Sequence, residues 1–396
     1  MSERRVYMDN NATTPLHPEV KQAMTEALDV YGNASSMHAS GREAKEGIDE
    51  ARSRIAGLIG AEEGEIIFTS GGSEANNTIL KGILELGRGF GKSSGKGPGK
   101  GRNELIISAV EHPSVLETAE YLAEKGYSVY RLRVDGEGRA DLDELGKLLS
   151  GKTALVSVMH GNNEIGTIQD IAAISAAAHE AGALVHTDAV QTVGKIPLDV
   201  HELGVDFLSF SSHKMYGPKG TGALYVRAKS PFLPLIHGGH QEEGKRAGTY
   251  NTLGIIGFGK AAELAGREMR EEAVRLENLS KRLEKGILEA IPDVRINSPE
   301  TECLPGTLDA SFLGAEGESI LLYLDMEGIE VSTGSACATG SLEPSHVLLG
   351  IGLDAEYAHG SIRFSLGREN TREDVEYVLE KLPPIIDRIR RMSTRY

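Results

Sequence analysis

A chain of 396 residues, 40% of them apolar, is long enough for two packed domains and can build its core without metals or disulfides. A formal charge of −16 argues against a nucleic-acid partner, which would require a basic face to neutralise phosphates. Two cysteines are no disulfide framework, Met1–Arg5 leads into no apolar signal segment and no apolar run reaches bilayer length, so the expectation is a soluble cytoplasmic protein without membrane contact.

Between Arg42 and Ile59 the apolar residues Ala44, Ile48, Ala51, Ile55 and Leu58 step by four and three, which predicts an amphipathic helix closed by Gly60. Short apolar runs follow at 66–68, 105–107, 154–159, 183–186, 207–210 and 223–226, with helical stretches such as 171–180 between most of them. Nearly all-apolar strands alternating with helices predict an α/β fold, a mostly parallel sheet covered on both faces. Ligands of such sheets sit beyond the carboxyl ends of the strands. After about Leu264 a charged helix (Ala273, Leu276, Leu279, Leu283, Ile287 on one face) leads to strands at 308–313, 329–332 and 361–366. Thr371 and Asp374 have the spacing to cap a final helix. The expected division is a large domain over 16–263 and a smaller α+β domain formed by 1–15 with 264–396. Residues 88–102 are rich in Gly, Lys and Ser, but Leu86 stands where a phosphate loop needs glycine, so a flexible basic surface loop is expected.

Three strand ends carry chemistry. The run Ser209-Phe-Ser211-Ser212-His213-Lys214-Met-Tyr-Gly places a lysine at a strand's end, where desolvation and nearby cations can keep an amine neutral and nucleophilic. His186-Thr-Asp188-Ala-Val-Gln191 places a carboxylate that could hold a pyridine nitrogen protonated, or simply cap the next helix. Thr69-Ser-Gly-Gly72-Ser73-Glu74 joins a strand to a helix start, whose free N–H groups suit a phosphate. An anion site, a strand-end aspartate and a strand-end lysine together are the parts of a pyridoxal 5'-phosphate site.

At this point the chain resembles the cysteine desulfurases of the class V aminotransferase-like fold, and the likeness runs nearly end to end. It is carried by Tyr7-Met-Asp-Asn-Asn-Ala-Thr-Thr-Pro15, Gly32-Asn-Ala-Ser-Ser-Met-His38, Glu111-His112, Met159-His-Gly-Asn-Asn163-Glu-Ile-Gly166, Gly244-Lys-Arg-Ala-Gly-Thr249, Ser332-Thr-Gly-Ser-Ala-Cys337 and Ser361-Ile-Arg363-Phe-Ser-Leu-Gly-Arg368. The resemblance implies a homodimer with the aspartate aminotransferase-like fold of pyridoxal-phosphate transferases. In it Lys214 would bind the cofactor covalently, Asp188 would pair with the ring nitrogen, Gln191 with the phenolic oxygen, and His112 would stack on the ring and shuttle a proton. Gly72, Ser73, Ser211 and His213 would surround the phosphate, Thr249 would reach it from the second subunit, and Ser212 would also belong to the cofactor site. Asn163 would sit beside cofactor and substrate, and Arg363 would clamp the carboxylate of L-cysteine, a bidentate task suited to a planar guanidinium. Lys219, past Gly217-Pro218, is the competing lysine and is expected to point away.

Of the two cysteines, Cys337 lies among small polar residues that offer no apolar wall, and an exposed, reactive thiol is expected there. Cys303, in Glu-Cys-Leu-Pro-Gly, is expected to be incidental. The loop resembles that of the long-loop (NifS/IscS-like) subgroup, which implies that Cys337 takes sulfur as a persulfide and passes it to an acceptor or iron–sulfur scaffold protein, for cluster, thio-cofactor or thio-tRNA synthesis. No protein metal site is expected, only transient iron–sulfur ligation by Cys337. Ala34 replaces the family's usual proline, and the chain stops at Tyr396 without the C-terminal extension of bacterial housekeeping members, which leaves the docking mode open. A selenocysteine or cystine lyase is the rival reading, and it would not need Cys337.

Overall fold

The computed structural model describes residues 4–89, 101–333 and 344–392. Cys337 and most of the Gly/Lys-rich segment lie outside the described residues. The strands are β1 (Val6–Tyr7), β2 (Ile66–Thr69), β3 (Glu104–Ser108), β4 (Ser128–Leu132), β5 (Thr153–Ser157), β6 (Leu184–Asp188), β7 (Phe207–Ser211), β8 (Gly222–Val226), β9 (Val294–Ile296), β10 (Thr307–Phe312), β11 (Ile329–Glu330) and β12 (Ser361–Ser365). Six apolar runs became β2, β3 and β5–β8. The pattern missed β4, whose Ser-Val-Tyr-Arg-Leu alternation is diluted by polar side chains because it is an edge strand.

The large sheet has the order β2-β8-β7-β6-β5-β3-β4. Pairing is parallel from β4 through β7 and antiparallel on both sides of β8, which leaves β2 pointing the same way as β7. Alternate residues face opposite layers. Phe68, Ile106, Val156, Leu208 and Phe210 pack on one face with the helices Ala39–Ile59, Ile171–Glu180 and the start of Thr252–Ala290. Their neighbours Ile67, Leu105, Ile107, Leu155 and Phe207 pack on the other face with Gly72–Gly87 and Pro113–Glu124. Both faces are dry, which is why these strands read as unbroken apolar runs.

Helix Thr252–Ala290 spans 39 residues, roughly 58 Å at 1.5 Å per residue. Its first part, Ile255 to Leu264, belongs to the large-sheet core; Leu276, Leu283 and Ile287 belong to a second core with β10, β12 and the final helix. The boundary drawn at 263/264 therefore falls inside a continuous helix. That second layer is the antiparallel sheet β12-β10-β9, beside a parallel β1–β11 pair. The final helix Arg372–Met392 opens with the expected reciprocal cap: the Asp374 N–H donates to Thr371 Oγ1 at 3.2 Å, and the Thr371 N–H to Asp374 Oδ2 at 3.0 Å. No described helix is long and apolar enough to cross a membrane.

Candidate active site

The carboxyl ends of β2, β6 and β7, and the turns after β3 and β5, meet under β12 around a cavity of about 460 Å³. Among its lining residues are Gly72, Ser73, His112, Asn163, Asp188, Gln191, Ser211, His213, Lys214 and Arg363. Residues as far apart in sequence as Asp9 and Arg363, 354 positions, therefore share one wall, which is the strand-end placement expected of an open α/β sheet.

At the end of β2 the chain turns through Gly71, whose φ of 153° with extended ψ is open only to glycine, and enters helix Gly72–Gly87. A side chain on Gly222 would meet Gly71 Cα at 2.6 Å, so the turn can lie this close to β8 only because residue 222 has no side chain. A side chain on Gly71 would meet the Ser211 hydroxyl at 3.7 Å, which sets that hydroxyl beside the helix start. The N–H groups of the first helical turn, with Ser73, Ser211 and His213 on the cavity wall, could hold an anion. His213 holds Thr13 Oγ1 at 3.1 Å, and burial, then Lys214, pushes its pKa down to about 4.

Asp188 ends β6 and is 4% exposed. Its Oδ1 accepts from the Val190 N–H at 2.9 Å and its Oδ2 from Asn76 Nδ2 at 2.7 Å. The first bond is the local turn contact ordinary for such an aspartate; the second, from a helix 112 residues away, orients the carboxylate for the cavity. His112 caps helix Pro113–Glu124, its Nδ1 accepting from the Ser114 N–H at 3.1 Å. In the neutral ring the proton is then on Nε2. Burial is the main cause lowering the His112 pKa, with Asp188 opposing and Lys214 adding to it, which favours that neutral ring. Lys214 follows β7 in the short turn Ser212–Lys214 and donates to the carbonyls of Asn11 at 2.5 Å and Ala12 at 2.7 Å.

Arg363 on β12 donates to the Asn163 carbonyl at 2.9 Å and to Asp9 Oδ1 at 2.7 Å, while its buried Nε has no partner among the described residues. One residue expected at the cofactor, Ser212, is not on the cavity wall. Ser212 is fully buried with its hydroxyl turned toward Gly217, because the tight turn after β7 alternates side chains inward and outward. Thr249 is exposed in a separate crevice with Thr69, Ser70 and Arg246. Lys219 is exposed and away from the cavity. Cys303 lines a larger groove of about 1060 Å³ with Glu277 and Glu284; burial, then Glu284, pushes its thiol up to about 12, which makes it a poor nucleophile. The sequence reading did not single out Asn11, Asp9 or Asn76, which tie the site together; Asn11 and Asp9 lie within the 7–15 motif, which was their only signal.

The open helix start, the glycine-lined approach and the Asp188–Lys214 pair fit a phosphorylated pyridine aldehyde. Residues 6–378 match the aminotransferase class-V family, and the chain belongs to that family. Within it, the chain belongs with the cysteine desulfurases. It is 52% identical, over 99% of this chain and 97% of the relative, to a Dictyoglomus turgidum protein named cysteine desulfurase IscS. Among solved structures, a NifS-like protein superposes with a TM-score of 0.89 at 40% identity, covering 97% of this chain and 100% of the other. A protein titled SspA in complex with cysteine superposes at 0.79 and 34% identity, covering 92% and 99%.

Proposed function

We propose that this protein is a cysteine desulfurase that binds pyridoxal phosphate in the cavity, converts L-cysteine to L-alanine and carries the sulfur as a persulfide on Cys337. The observation that carries the reading is the convergence of Lys214, Asp188 and the open N-terminus of helix Gly72–Gly87 on one cavity whose far wall is Arg363. When bound, pyridoxal phosphate supplies an electron sink next to the substrate's Cα. Lys214 holds it covalently and moves the proton at Cα. Asp188 keeps the ring nitrogen protonated, and Gln191 offers its amide to the phenolic oxygen. The helix start, Ser73, Ser211 and His213 take the phosphate, with Thr249 of the partner subunit in a homodimer. Asn163 and Arg363, both on the cavity wall, orient the substrate carboxylate. His112, neutral with its proton on Nε2, is suited to packing on the ring and relaying a proton.

The sulfur step is an exchange: the thiolate of Cys337 attacks the substrate sulfur, the C–S bond breaks, alanine leaves after protonation, and the persulfide remains for an acceptor protein. Both flanks of residues 334–343 are tied to the site. Ser332 lines the cavity and pairs with Arg363 through the backbone. On the other flank, Ser345 Oγ donates to Glu164 at 2.5 Å, and His346 Nε2 lies 2.9 Å from the Glu111 carbonyl. Cys337 follows Ser332 by five residues, a span of at most roughly 18 Å.

The test is chemical. Purified protein supplied with pyridoxal phosphate is reduced with borohydride and digested, and a second sample is assayed for alanine and persulfide from L-cysteine. A pyridoxyl label on Lys214 and both products are expected. A label on Lys219, or no alanine and persulfide, overturns the reading.

A further inference from the structure

Behind the cavity wall sits a second lysine, Lys195, four residues after Gln191 and not itself a lining residue. Its Nζ donates to Gln191 Oε1 at 2.8 Å and to Asn11 Oδ1 at 2.9 Å. The opposite ends of both amides are engaged as well. Gln191 Nε2 donates to the Asn11 backbone carbonyl at 2.9 Å; Asn11 Nδ2 donates to Thr307 Oγ1 at 2.9 Å and to the Asn163 carbonyl at 3.3 Å. A backbone carbonyl can only accept, and each amide gives its NH₂ end to one, so each amide, whose two ends are nearly the same size, is held one way round with its oxygen toward Lys195. The same Asn11 carbonyl receives Lys214 Nζ at 2.5 Å. Among the described residues no carboxylate is a hydrogen-bond partner of Lys195. Burial first, then the like charges of Lys214 and Arg363, push its ammonium well below the ordinary lysine range. A buried cation without a counter-ion is costly, and packing alone would be served better by an apolar side chain.

We propose that Lys195 is a positioning residue for the cofactor: by holding the oxygen end of Gln191 it presents the Gln191 NH₂ group as the donor for an anionic ring oxygen. One N–H of that NH₂ group is taken by the Asn11 carbonyl, which leaves the other for the ligand. Without Lys195 the Gln191 oxygen loses its donor, and the side chain is free to leave the wall.

This assignment rests on the pyridoxal phosphate reading of the cavity. It is tested by equilibrium dialysis of the apo protein against pyridoxal phosphate, with no assay of turnover. Lys195→Met is expected to weaken binding about three- to ten-fold, the scale of one lost hydrogen bond, and Gln191→Leu by a similar factor. The double variant is expected to bind no more weakly than Gln191→Leu alone, because the lysine acts through the glutamine. Lys195→Arg, which keeps a donor and the charge, is expected to bind more tightly than Lys195→Met. Circular dichroism identifies a variant that does not fold; if Lys195→Met is one, Lys195→Gln replaces it under the same comparisons. A wild-type protein that fails to bind pyridoxal phosphate sinks the underlying reading. Normal binding by wild type and Lys195→Met alike, additive losses in the double variant, or an arginine variant no better than methionine overturns the role of Lys195.

Discussion

The strand-end rim of the large sheet and the core beneath the small sheet are both buried, yet they are built from opposite materials. On the rim, Glu111, His112, Asp188, Lys195 and Lys214 crowd together, and burial displaces titrations: Glu111 up to about 8, His213 down to about 4. In the second core, Leu283, Ile287, Leu308, Phe312, Ile320, Phe364 and Leu382 are nearly free of solvent. Its titratable neighbour Asp309 is pushed up to about 7 by burial; its Oδ1 accepts from Asn297 Nδ2 at 2.7 Å, while its buried Oδ2 has no partner among the described residues. The difference shows where each free energy resides. Apolar burial stabilises the molecule without specifying chemistry, while the rim keeps groups that cost stability because their placement does chemistry.

Four experiments sharpen or break that contrast. The largest effect is expected for Cys337→Ser: sulfur release from L-cysteine falls by orders of magnitude while pyridoxal phosphate still binds, since a serine hydroxyl is a poor sulfur acceptor. Cys303→Ser, with its thiol already pushed up to about 12, leaves release unchanged. Near-normal release by Cys337→Ser would favour the lyase reading. Next, Leu283→Ala, in a fully buried site of the second core, destabilises by roughly 2–5 kcal/mol in urea unfolding with kcat and KM little changed. A collapse of KM with little loss of stability would show that this core is not separate from the site.

Glu111→Gln tests the electrostatic cost of the rim. The folded Glu111 keeps its proton up to about pH 8, whereas the unfolded group loses it near 4.5, so its contribution is present at low pH and stability declines as pH rises between those values. The glutamine should match wild type at pH 4–5 and exceed it at pH 9 by roughly 1–3 kcal/mol in thermal or urea unfolding. Equal pH dependence in the two proteins would remove Glu111 from the account. The smallest effect is expected at the far end: Thr371→Ala loses one half of the helix cap and costs about 1 kcal/mol, with activity unchanged.

Much of this was legible from local pattern. Helix 39–59 with its Gly60 stop, the helix at 171–180, the paired-face strands and the Thr371–Asp374 cap all depend on residues within a few positions of one another, and period and capping chemistry report them directly. The strand-end positions of Asp188 and Lys214 were visible for the same reason, and the family motifs supplied their roles. What only the tertiary structure decided is who stands behind them. Asn76 steadies Asp188 from 112 residues away, Asn11 joins Lys214 to Gln191 and Lys195, and Arg363 arrives from the small sheet. The same holds for the side chain it turned away, Ser212 into the core. A hydrogen bond between distant segments leaves no periodicity in either one. It exists only once the apolar layers have packed and brought the strand ends, β1 and β12 to a common edge.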